Sequence, residues 1–371
     1  MIYIVKEEYL PNAAETNRLF AFVKGFIQLG KDVSILYVNN CPYKDIHGAC
    51  VVSPIGGFKS RILHKFTGPI SLYRILKRTQ SDDCVIFYSA MLVLVVPLLL
   101  RKQIKAKLYY ECTENPEVIR PNTLLYRCYR RLLFRCCKRL DGLFVISQSL
   151  KQYFIEKGVN KERIHIINMI VDPNRFDNIY KQEVESPYIA YCGTASNNKD
   201  GVDELIKAFA IVSCNYPQYK LYIIGKGLTR DDDSGNLKLV NSLRLNDKVV
   251  FTGVVEAERM PQLLKNANIL ALDRPDNKQA KYGFPTKLGE YLLTENPVVV
   301  TQVGDIPLFL KDRESALFAE PQNDKSFASC IIWVIEHPVE ASVIGRNGAD
   351  VAREHFDGLK EAEKVVDIIG A

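Results

Sequence analysis

The sequence lacks the residue clusters that mark the common metal, disulfide and serine-nucleophile sites. Its ten cysteines include no Cys-x-x-Cys pair, so neither a zinc ribbon nor a disulfide framework is indicated, and we expect buried, reduced thiols. The five histidines are scattered without the paired spacing of a zinc hydrolase. The Gly-x-Ser-x-Gly turn of the serine hydrolases is also absent, so these classes of enzyme are disfavoured.

The sequence is also short of long apolar segments. The longest apolar run, 84–100, is at the lower length limit for a membrane span and is interrupted by Pro97. We expect a buried strand there, followed by a buried or interfacial helix. The first residues, MIYIVKEEYL, enter a strand without the basic and apolar regions of a secretory leader, so a cytoplasmic localisation is expected.

Charge is divided unevenly between the two halves of the chain. Residues 1–185 contain 28 lysines and arginines against 17 acidic residues, whereas residues 186–371 contain 21 against 26. A basic first half indicates an anionic partner, and nucleic acid and membrane lipid both have that charge. Because no recognition motif accompanies the basic residues, nucleic acid is disfavoured.

Short apolar runs rich in β-branched residues alternate with helical patterns, which predicts βαβ units. Several runs are apolar on both faces, as is typical of parallel strands covered by helices. The series restarts after a polar stretch at 178–187, the best linker candidate, and 371 residues suit two domains. We predict two doubly wound α/β domains with a cleft between them and ligands at the carboxyl ends of the strands. The predicted strands are 2–5, 33–38, 84–88, 107–111, 143–147, 164–167, 188–192, 220–225, 249–253, 268–272, 297–301 and 316–320.

Two strand-to-helix junctions of the second half have polar loops. In YCGTASNNKDGVDELIKAF, 191–209, Gly193 permits a tight turn and Lys199 precedes a helix, where an ammonium and free N–H groups can hold a phosphate. An exposed loop lysine is the simpler interpretation. In LYIIGKGLTRDDDSG, 221–235, the glycines around Lys226 permit close approach of a nucleotide, although a turn without a ligand is the simpler interpretation of this segment alone. We expect Asp231–Asp233 to lie in a solvated loop.

A third junction is KYGFPTKLGEYLLTENPVVVT, 281–301. Proline is favoured in the first turn of a helix, so Pro285 predicts that a helix begins here. The free backbone N–H groups of Thr286 and Lys287 would then form an anion-binding site. Glu290 lies one turn later on the same face, where a carboxylate would accept hydrogen bonds from hydroxyls such as those of a ribose. A surface ion pair between Lys287 and Glu290 is the alternative.

These junctions, in their order and spacing, resemble the nucleotide-binding half of the family-4 retaining glycosyltransferases. The segments VVFTGVVEAERMPQLLKNANILAL and GRNGADVAREHF continue the resemblance in the second half, and FVISQSLKQYFIEKGVNKERIHIINMIVDPNRF extends it to the end of the first domain. The resemblance implies a GT-B fold with an acceptor-binding domain at 1–180 and a nucleotide-sugar-binding domain at 188–355. The final segment, 356–371, is then a helix that returns to the first domain.

The resemblance also implies roles for individual residues. The family's second motif glutamate binds the ribose, and Glu290 matches it; the first, which binds the donor sugar, is replaced here by Tyr282. Lys199 matches the lysine of the diphosphate-binding basic pair, whereas Thr194 replaces the arginine. Lys199 and Glu290 are thus expected to carry the chemistry. The donor contacts expected are Gly193, Thr194, Lys199, Gly225, Lys226, Val254, Tyr282, Gly283, Phe284, Pro285, Thr286, Lys287 and Glu290.

On the acceptor side the resemblance points to the first domain. Its opening loop, with Asn12, Ala13 and Ala14, replaces a glycine-rich turn of the relatives, and Glu111 and Glu114 follow a strand end where carboxylates can bind acceptor hydroxyls or act as a base. Exposed loop charges are the alternative. The segment 125–140 is a basic amphipathic helix, typical of a surface that contacts anionic membrane, or else a helix whose arginines are simply solvated.

The function expected is transfer of a sugar, with retention, from a UDP- or GDP-sugar to a polysaccharide or lipid-linked acceptor. The resemblance implies front-face attack in which the leaving diphosphate helps to deprotonate the acceptor. No metal and no tightly bound cofactor are implied, because Lys199 and helix N-termini can stabilise the diphosphate. Two alternatives remain open: a silent glycosyltransferase-like subunit, which the changes at Tyr282 and Thr194 favour, and a sugar-nucleotide epimerase of similar architecture.

Overall fold

A computed structural model describes residues 1–10, 14–55, 61–88, 101–118 and 123–370. The chain divides into two compact units. Unit 1 contains Met1–Ile170 and Gly358–Ala371, and unit 2 contains Val171–Asp357. The chain therefore passes from one unit to the other at Ile170, and the polar stretch 178–187 lies inside unit 2.

Fourteen strands form in the described residues, eight in unit 1 and six in unit 2. In chain order they are β1 (Ile2–Lys6), β2 (Val33–Tyr37), β3 (Asp45–Ile46), β4 (Ala49–Val52), β5 (Cys84–Tyr88), β6 (Lys107–Cys112), β7 (Gly142–Val145), β8 (Ile164–Ile166), β9 (Tyr188–Cys192), β10 (Lys220–Ile224), β11 (Val249–Gly253), β12 (Ile269–Leu272), β13 (Val298–Thr301) and β14 (Leu317–Ala319).

Most α-helices lie between these strands along the chain, and three follow the last strand. In chain order they are α1 (Ala14–Gln28), α2 (Arg61–Leu76), α3 (Leu124–Cys137), α4 (Gln148–Glu156), α5 (Asn197–Asp200), α6 (Val202–Asn215), α7 (Arg230–Ser242), α8 (Met260–Asn266), α9 (Lys278–Tyr282), α10 (Thr286–Leu293), α11 (Asp324–Glu336), α12 (Pro338–His355) and α13 (Gly358–Ile369). Short 3₁₀ helices cover Arg101–Gln103, Lys161–Arg163, Pro173–Phe176 and Ile306–Leu308.

The sheet of unit 1 has the strand order β3-β4-β2-β1-β5-β6-β7-β8. All described pairs are parallel except β3 with β4. Every residue of β2 and β5 is buried, which explains why these strands read as continuous apolar runs. The predicted strands of this half are confirmed, but β3 and β4 were not predicted. They form a short hairpin at the sheet edge whose turn, at His47 and Gly48, has positive φ angles.

The chain returns to unit 1 in its last helix, as the family resemblance implied. α13 packs on α1, where Gly25 faces the start of α13. A Cβ at position 25 would lie 2.7 Å from the Gly358 carbonyl oxygen and 2.8 Å from the Ala362 Cβ. The absence of a side chain at Gly25 therefore lets the two helices approach closely.

The sheet of unit 2 has the strand order β11-β10-β9-β12-β13-β14, and all its described pairs are parallel. The six predicted strands of this half are confirmed. From the centre of the sheet, β9, β10 and β11 follow one another toward one edge, and β12, β13 and β14 follow one another toward the other edge. The reversal lies between β9 and β12, the place at which doubly wound sheets bind ligands.

Two local predictions in unit 2 are wrong. Asp231–Asp233 is not a loop but the first turn of α7, where Thr229 caps the helix and exchanges hydrogen bonds with Asp232 in a capping box. Acidic residues are favoured there because the N-terminal end of a helix carries partial positive charge. Pro285 is the N-cap of α10 rather than its first helical residue, with φ −74° and ψ 106°.

No helix in the described ranges is by itself long and apolar enough to cross a membrane. One pair, Asp324–Glu336 with Pro338–His355, has the required length and composition when taken together, but it bends by 109°. Of the apolar run 84–100, residues 84–88 form β5 and residues 89–100 lie outside the described residues.

Candidate functional site

The loops that follow β9, β10 and β11 are joined by backbone hydrogen bonds at the carboxyl edge of the unit 2 sheet. Gly193 N–H donates to the Ile224 carbonyl at 2.9 Å, and Ala195 N–H donates to the Lys226 carbonyl at 2.8 Å. Gly225 N–H in turn donates to the Gly253 carbonyl at 2.9 Å. The predicted glycine turns are therefore parts of one connected surface.

Glycine is favoured at two of these positions because both have positive φ angles and lie against neighbouring groups. Gly225 has a φ of +127°, and a Cβ there would lie 2.0 Å from the Gly193 carbonyl oxygen. Gly193 has a φ of +147°, and a Cβ there would lie 2.3 Å from the ammonium nitrogen of Lys287. The Lys287 ammonium thus lies directly against the backbone at the end of β9.

Lys287 is held there by a buried aspartate. Its Nζ pairs with Asp200 Oδ2 and donates to the Tyr191 hydroxyl at 3.0 Å, while that hydroxyl donates to Asp200 Oδ2 at 2.8 Å. Arg274 Nε lies 3.7 Å from the other carboxylate oxygen of Asp200. The predicted anion-binding site therefore contains a lysine whose charge is partly neutralised from inside the unit.

The electrostatics of this cluster follow from burial and pairing. Burial raises the pKa of Asp200, but Lys287 and Arg274 outweigh that effect and hold the pKa below its usual value. Burial lowers the pKa of Lys287, Asp200 offsets this in part, and the nearby charge of Lys199 lowers it further. We assign the ionised state to the Asp200–Lys287 pair, because the Asp200 carboxylate also accepts a hydrogen bond from Tyr191.

Lys199 occupies the place that the sequence predicts for a phosphate ligand. It belongs to the single turn α5 and is half-buried, one residue before Asp200. Gly201, with a φ of +57°, ends α5 and begins α6, whose apolar face at Val202, Leu205, Ile206 and Phe209 is buried as predicted. Because Lys199 influences the pKa of Lys287, the two ammonium groups act on the same region after β9.

Glu290 pairs with an arginine that sequence reasoning missed. Arg175 Nη1 lies 2.9 Å from Glu290 Oε1, and the side chains are 21% and 18% exposed. Burial raises the pKa of Glu290, and Arg175 offsets this in part. In the described residues, Lys287 pairs with Asp200 and Glu290 with Arg175, so the alternative Lys287–Glu290 ion pair is wrong.

The turn that precedes α10 contains half-buried and buried residues. Tyr282 is the half-buried last residue of α9, and Gly283 and Thr286 are also half-buried. Pro285 is buried. The Phe284 ring is only 7% exposed and packs against Phe309 and Phe356 at centroid distances of 5.6 and 5.4 Å. Phe284 is therefore a core residue, and we do not retain it as a donor contact.

The remaining predicted donor residues lie at the tips of the joined loops. Thr194 and Lys226 are exposed, and Val254 is 62% exposed directly after β11. Exposed side chains at adjoining strand ends are accessible to a ligand, in contrast to the core position of Phe284.

In unit 1 the two predicted carboxylates have different environments. Glu111 is 2% exposed and its Oε1 accepts from Arg18 Nη2 at 2.8 Å and from Nε at 3.1 Å, so it forms an internal ion pair and not an exposed acceptor ligand. Glu114 is half-buried in the following loop. Of the opening loop, Asn12 and Ala13 lie outside the described residues, and Ala14 is the first residue of α1.

Two further residues of the unit 2 cluster escaped prediction for different reasons. In the sequence, Asp200 is one of several polar residues in a polar loop, and nothing indicates that it is buried. Its ion pair with Lys287 is seen only in the structure. Arg175 lies far from Glu290 in sequence, so no local pattern links them. Glu111, by contrast, carried a usable signal, because an acidic residue inside an apolar strand indicates a buried partner.

Two doubly wound, mainly parallel sheets in one chain are the architecture of the GT-B glycosyltransferases. Two family models match the chain: Glycosyltransferase Family 4 over residues 16–175 and Glycosyl transferases group 1 over residues 186–337. The chain belongs to this glycosyltransferase family. The predicted recognition and fold class are thereby confirmed.

Individual relatives are distant. Mannosylfructose-phosphate synthase of Agrobacterium fabrum is 25% identical over 253 residues, which cover 64% of this chain and 54% of the relative. The chain thus spans about half the length of the curated relatives it matches. The Anabaena protein HepE, solved in complex with UDP, has a TM-score of 0.80 at 17% identity and covers 100% of this chain and 99% of its own. The HepE complex with UDP-glucose has a TM-score of 0.79 at 18% identity, with the same coverage.

Proposed function

We propose that this protein transfers a sugar from a nucleoside-diphosphate sugar, a UDP- or GDP-sugar, to a glycan or lipid-linked acceptor, with retention at the anomeric carbon. The observation that carries the proposal is the cationic surface at the strand reversal of unit 2. There the Lys287 ammonium lies against the backbone of Gly193, with Lys199 in the adjoining turn. The UDP and UDP-glucose complexes of the similar HepE structure support the same donor class.

Charge distribution supports binding of a diphosphate at this surface. Asp200 partly neutralises Lys287, and Arg274 and Lys199 bring further basic side chains to the same region. The N–H groups at the start of α10 add hydrogen-bond donors of partial positive charge. Glu290, held by Arg175, would accept hydrogen bonds from ribose hydroxyls. A dianionic phosphate group with an attached ribose fits this combination of donors and acceptor.

In the proposed reaction, the bond between the anomeric carbon and the β-phosphate oxygen breaks as the acceptor oxygen bonds to the same face of that carbon. The acceptor proton passes to the departing diphosphate. Lys199 and the α10 N–H groups stabilise the negative charge that grows on the diphosphate. This chain's contribution is therefore orientation of the donor and stabilisation of the leaving group, without a metal or a tightly bound cofactor.

We propose polysaccharide or lipid-linked glycan assembly as the process in which this transfer takes place. Glu114 in unit 1 remains the candidate for binding acceptor hydroxyls, because Glu111 is used internally. Tyr282 stands in place of the sugar-binding glutamate, so we expect the donor sugar to be held mainly by backbone groups and by the tyrosine hydroxyl.

Lys199→Ala is expected to weaken donor binding by about 10- to 100-fold, the loss of a hydrogen bond from a charged group worth about 1.5–3 kcal/mol. The measurement is calorimetric titration with UDP-glucose and GDP-mannose, accompanied by release of nucleoside diphosphate during turnover. Lys238→Ala, an exposed lysine on α7, is the matched control and should leave both quantities unchanged. Equal affinities of the two variants would contradict the assignment of Lys199.

A silent binding subunit is the second candidate, and the replacements at Thr194 and Tyr282 favour it. Such a subunit would bind a nucleotide sugar without cleaving it. Slow hydrolysis of the bound donor, lost in Lys199→Ala, would exclude the silent subunit and support the transferase.

We also propose that α3 contacts an anionic membrane, which would place the protein at the cytoplasmic face. Its inward side, at Leu133, Cys136 and Cys137, is buried in unit 1, and Leu124 and Leu132 are 75% and 37% exposed. Five basic side chains along and just after the helix are exposed, whereas Arg130 is buried. The exposed ones are Arg127, Arg131, Arg135, Lys138 and Arg139. Exposed leucines among basic residues are the combination that anionic lipid surfaces favour.

Replacing Arg127, Arg131 and Arg135 by glutamine is expected to weaken binding to vesicles containing phosphatidylserine by about 100-fold. The estimate is about 1 kcal/mol for each basic residue near the surface. Co-sedimentation with the vesicles at low salt measures the effect. A control with Arg230, Lys238 and Lys325 replaced removes the same charge from exposed positions of unit 2. If both triple variants bind equally, α3 is not the contact.

A further inference from the structure

The described part of unit 2 contains a recess of about 330 Å³. It lies beside the segment that follows β12 and beside the turns that begin α6 and α9. A recess of this volume suits a small molecule. Its lining is dominated by carboxylates and amides, among them Asn197, Asp203, Glu204, Asp273, Asp276 and Asn277.

Two acceptor atoms in this lining have no hydrogen-bond partner among the described residues. They are Oδ2 of Asp273 and Oδ1 of Asn197, and Asp273 is only 1% exposed. A buried carboxylate oxygen without a donor is unfavourable unless a ligand supplies a donor or a positive charge. Asn197 Oδ1 is an acceptor, and Asp273 Oδ2 is an acceptor when its carboxyl group is ionised, so a donor group would satisfy both atoms.

Helix dipoles account for only part of the acidic lining. Asp203 and Glu204 lie in the first turn of α6, where negative side chains stabilise the helix, and Glu204 also pairs with Lys207. Asp273 has no such explanation, because it directly follows a strand. The orphan carboxylate is thus independent of the helix-capping charges around it.

The recess is held in shape by contacts between its walls. Asn277 Nδ2 donates to the Asn198 carbonyl at 2.7 Å, while its Oδ1 accepts from Ala280 N–H at 3.0 Å. Gly201 lies against the Asp273 backbone, and a Cβ there would be 2.1 Å from the Asp273 carbonyl oxygen. These contacts place the Asp273 and Asn197 acceptors on walls that are already joined.

We propose that this recess binds a small organic ammonium ion whose amino group donates to Asp273 and Asn197. An ammonium group has several donors and no acceptor, which matches a lining of acceptors. The rim carboxylates of Asp203, Glu204 and Asp276 add attraction for the positive charge. A divalent metal fits less well, because no three His, Cys, Asp or Glu side chains are placed to ligate one in the described ranges.

The electrostatic environment of Asp273 agrees with a cationic ligand. Burial, followed by the charges of Glu204, Asp203 and Asp324, raises its pKa to about 8, and Lys207 lowers it only in part. Without a ligand this raised pKa favours the protonated carboxyl group at neutral pH, and a bound cation would shift the balance toward the ionised carboxylate. The recess therefore resembles a site that is completed by a positive charge.

The test is thermal unfolding of the full chain at fixed ionic strength with putrescine, glucosamine or glucose. We expect putrescine or glucosamine to raise the Tm by a few degrees in a saturable manner, whereas glucose, which has no ammonium, has no effect. A shift with putrescine alone assigns an alkyl amine, and a shift with glucosamine alone assigns an amino sugar. Either result supports the ammonium site.

Two variants make the test specific. Asp273→Asn should abolish the amine-dependent shift, whereas Asp231→Asn, an exposed charge on α7, should retain it. Asp273→Asn is also expected to be more stable than wild type without ligand, because a buried unpartnered carboxylate is removed. Suppose that this stabilisation occurs but neither amine raises the Tm of the wild type more than glucose does. Asp273 is then a buried carboxyl group without a ligand, and the proposal is overturned. Persistence of the shift in Asp273→Asn overturns it as well.

Discussion

Glu290→Ala is expected to weaken nucleotide-sugar binding by about 10- to 100-fold. The variant removes the carboxylate that we propose as the acceptor for ribose hydroxyls, and a hydrogen bond to a charged group is worth about 1.5–3 kcal/mol. Arg175, whose Nη1 is 2.9 Å from Glu290 Oε1, holds the carboxylate in place, and we assign the other oxygen to the ribose. Calorimetric titration with the best donor measures the effect.

Arg175→Met separates this role from that of a structural ion pair. Both Glu290→Ala and Arg175→Met break the pair, so both should lower the Tm, but only Glu290→Ala removes the acceptor. Glu290→Gln retains one carbonyl oxygen and should have an intermediate affinity. If all three variants lose stability and none loses donor affinity, Glu290 serves the fold alone.

Asp200→Ala is expected to lower the free energy of unfolding of unit 2 by about 3–5 kcal/mol, because Lys287 is left without its buried counter-ion. The single tryptophan of the chain, Trp333, lies on α11 of unit 2, so its fluorescence during urea denaturation reports on this unit. The double variant Asp200→Leu with Lys287→Met removes the Asp200–Lys287 pair but still deprives the buried Arg274 of the Asp200 carboxylate, so it should be less destabilised than Asp200→Ala without being fully restored. Equal losses for the single and double variants would show that the unpaired Lys287 charge is not responsible.

The stability that the Asp200 carboxylate contributes depends on pH with a definite sign, which Asp200→Asn tests. Because the pKa of Asp200 is lowered in the folded protein, its contribution to stability is present above the unfolded value of about 3.9. That contribution is lost as the pH falls through the folded pKa. The stability difference between wild type and Asp200→Asn should therefore shrink below about pH 4. A difference that stays constant down to about pH 3 would contradict the ionised pair.

Most of the sheet architecture could be predicted because buried parallel strands leave a strong local pattern. Val298–Thr301 and Cys84–Tyr88 are buried throughout, so their continuous apolar runs have one simple explanation. The β3–β4 hairpin escaped prediction because its strands are only two and four residues long. Asp231–Asp233 was misassigned because three aspartates suit a loop as well as the first turn of a helix, and only the cap at Thr229 decides between them.

The candidate site was predictable in its positions but not in its pairings. Spacing placed Lys199, Lys287 and Glu290 near one strand edge, since parallel strands end together. The partners of these side chains come from distant segments: Asp200 for Lys287, and Arg175 for Glu290. Burial also argues against two predicted ligand contacts. Phe284 and Glu111 were expected to face the ligands, but they are 7% and 2% exposed.

The central claim is that unit 2 binds a nucleoside-diphosphate sugar at the strand reversal, and the most direct measurement is titration of the wild-type protein with nucleotide sugars. We expect at least one UDP- or GDP-sugar to bind with a single site. At 100 times its dissociation constant that donor should stabilise the protein by about 2.7 kcal/mol, and at the same concentration Lys199→Ala should reduce this stabilisation to about 0.4–1.4 kcal/mol. If no nucleotide or nucleotide sugar binds or stabilises the wild-type protein, the claim is wrong.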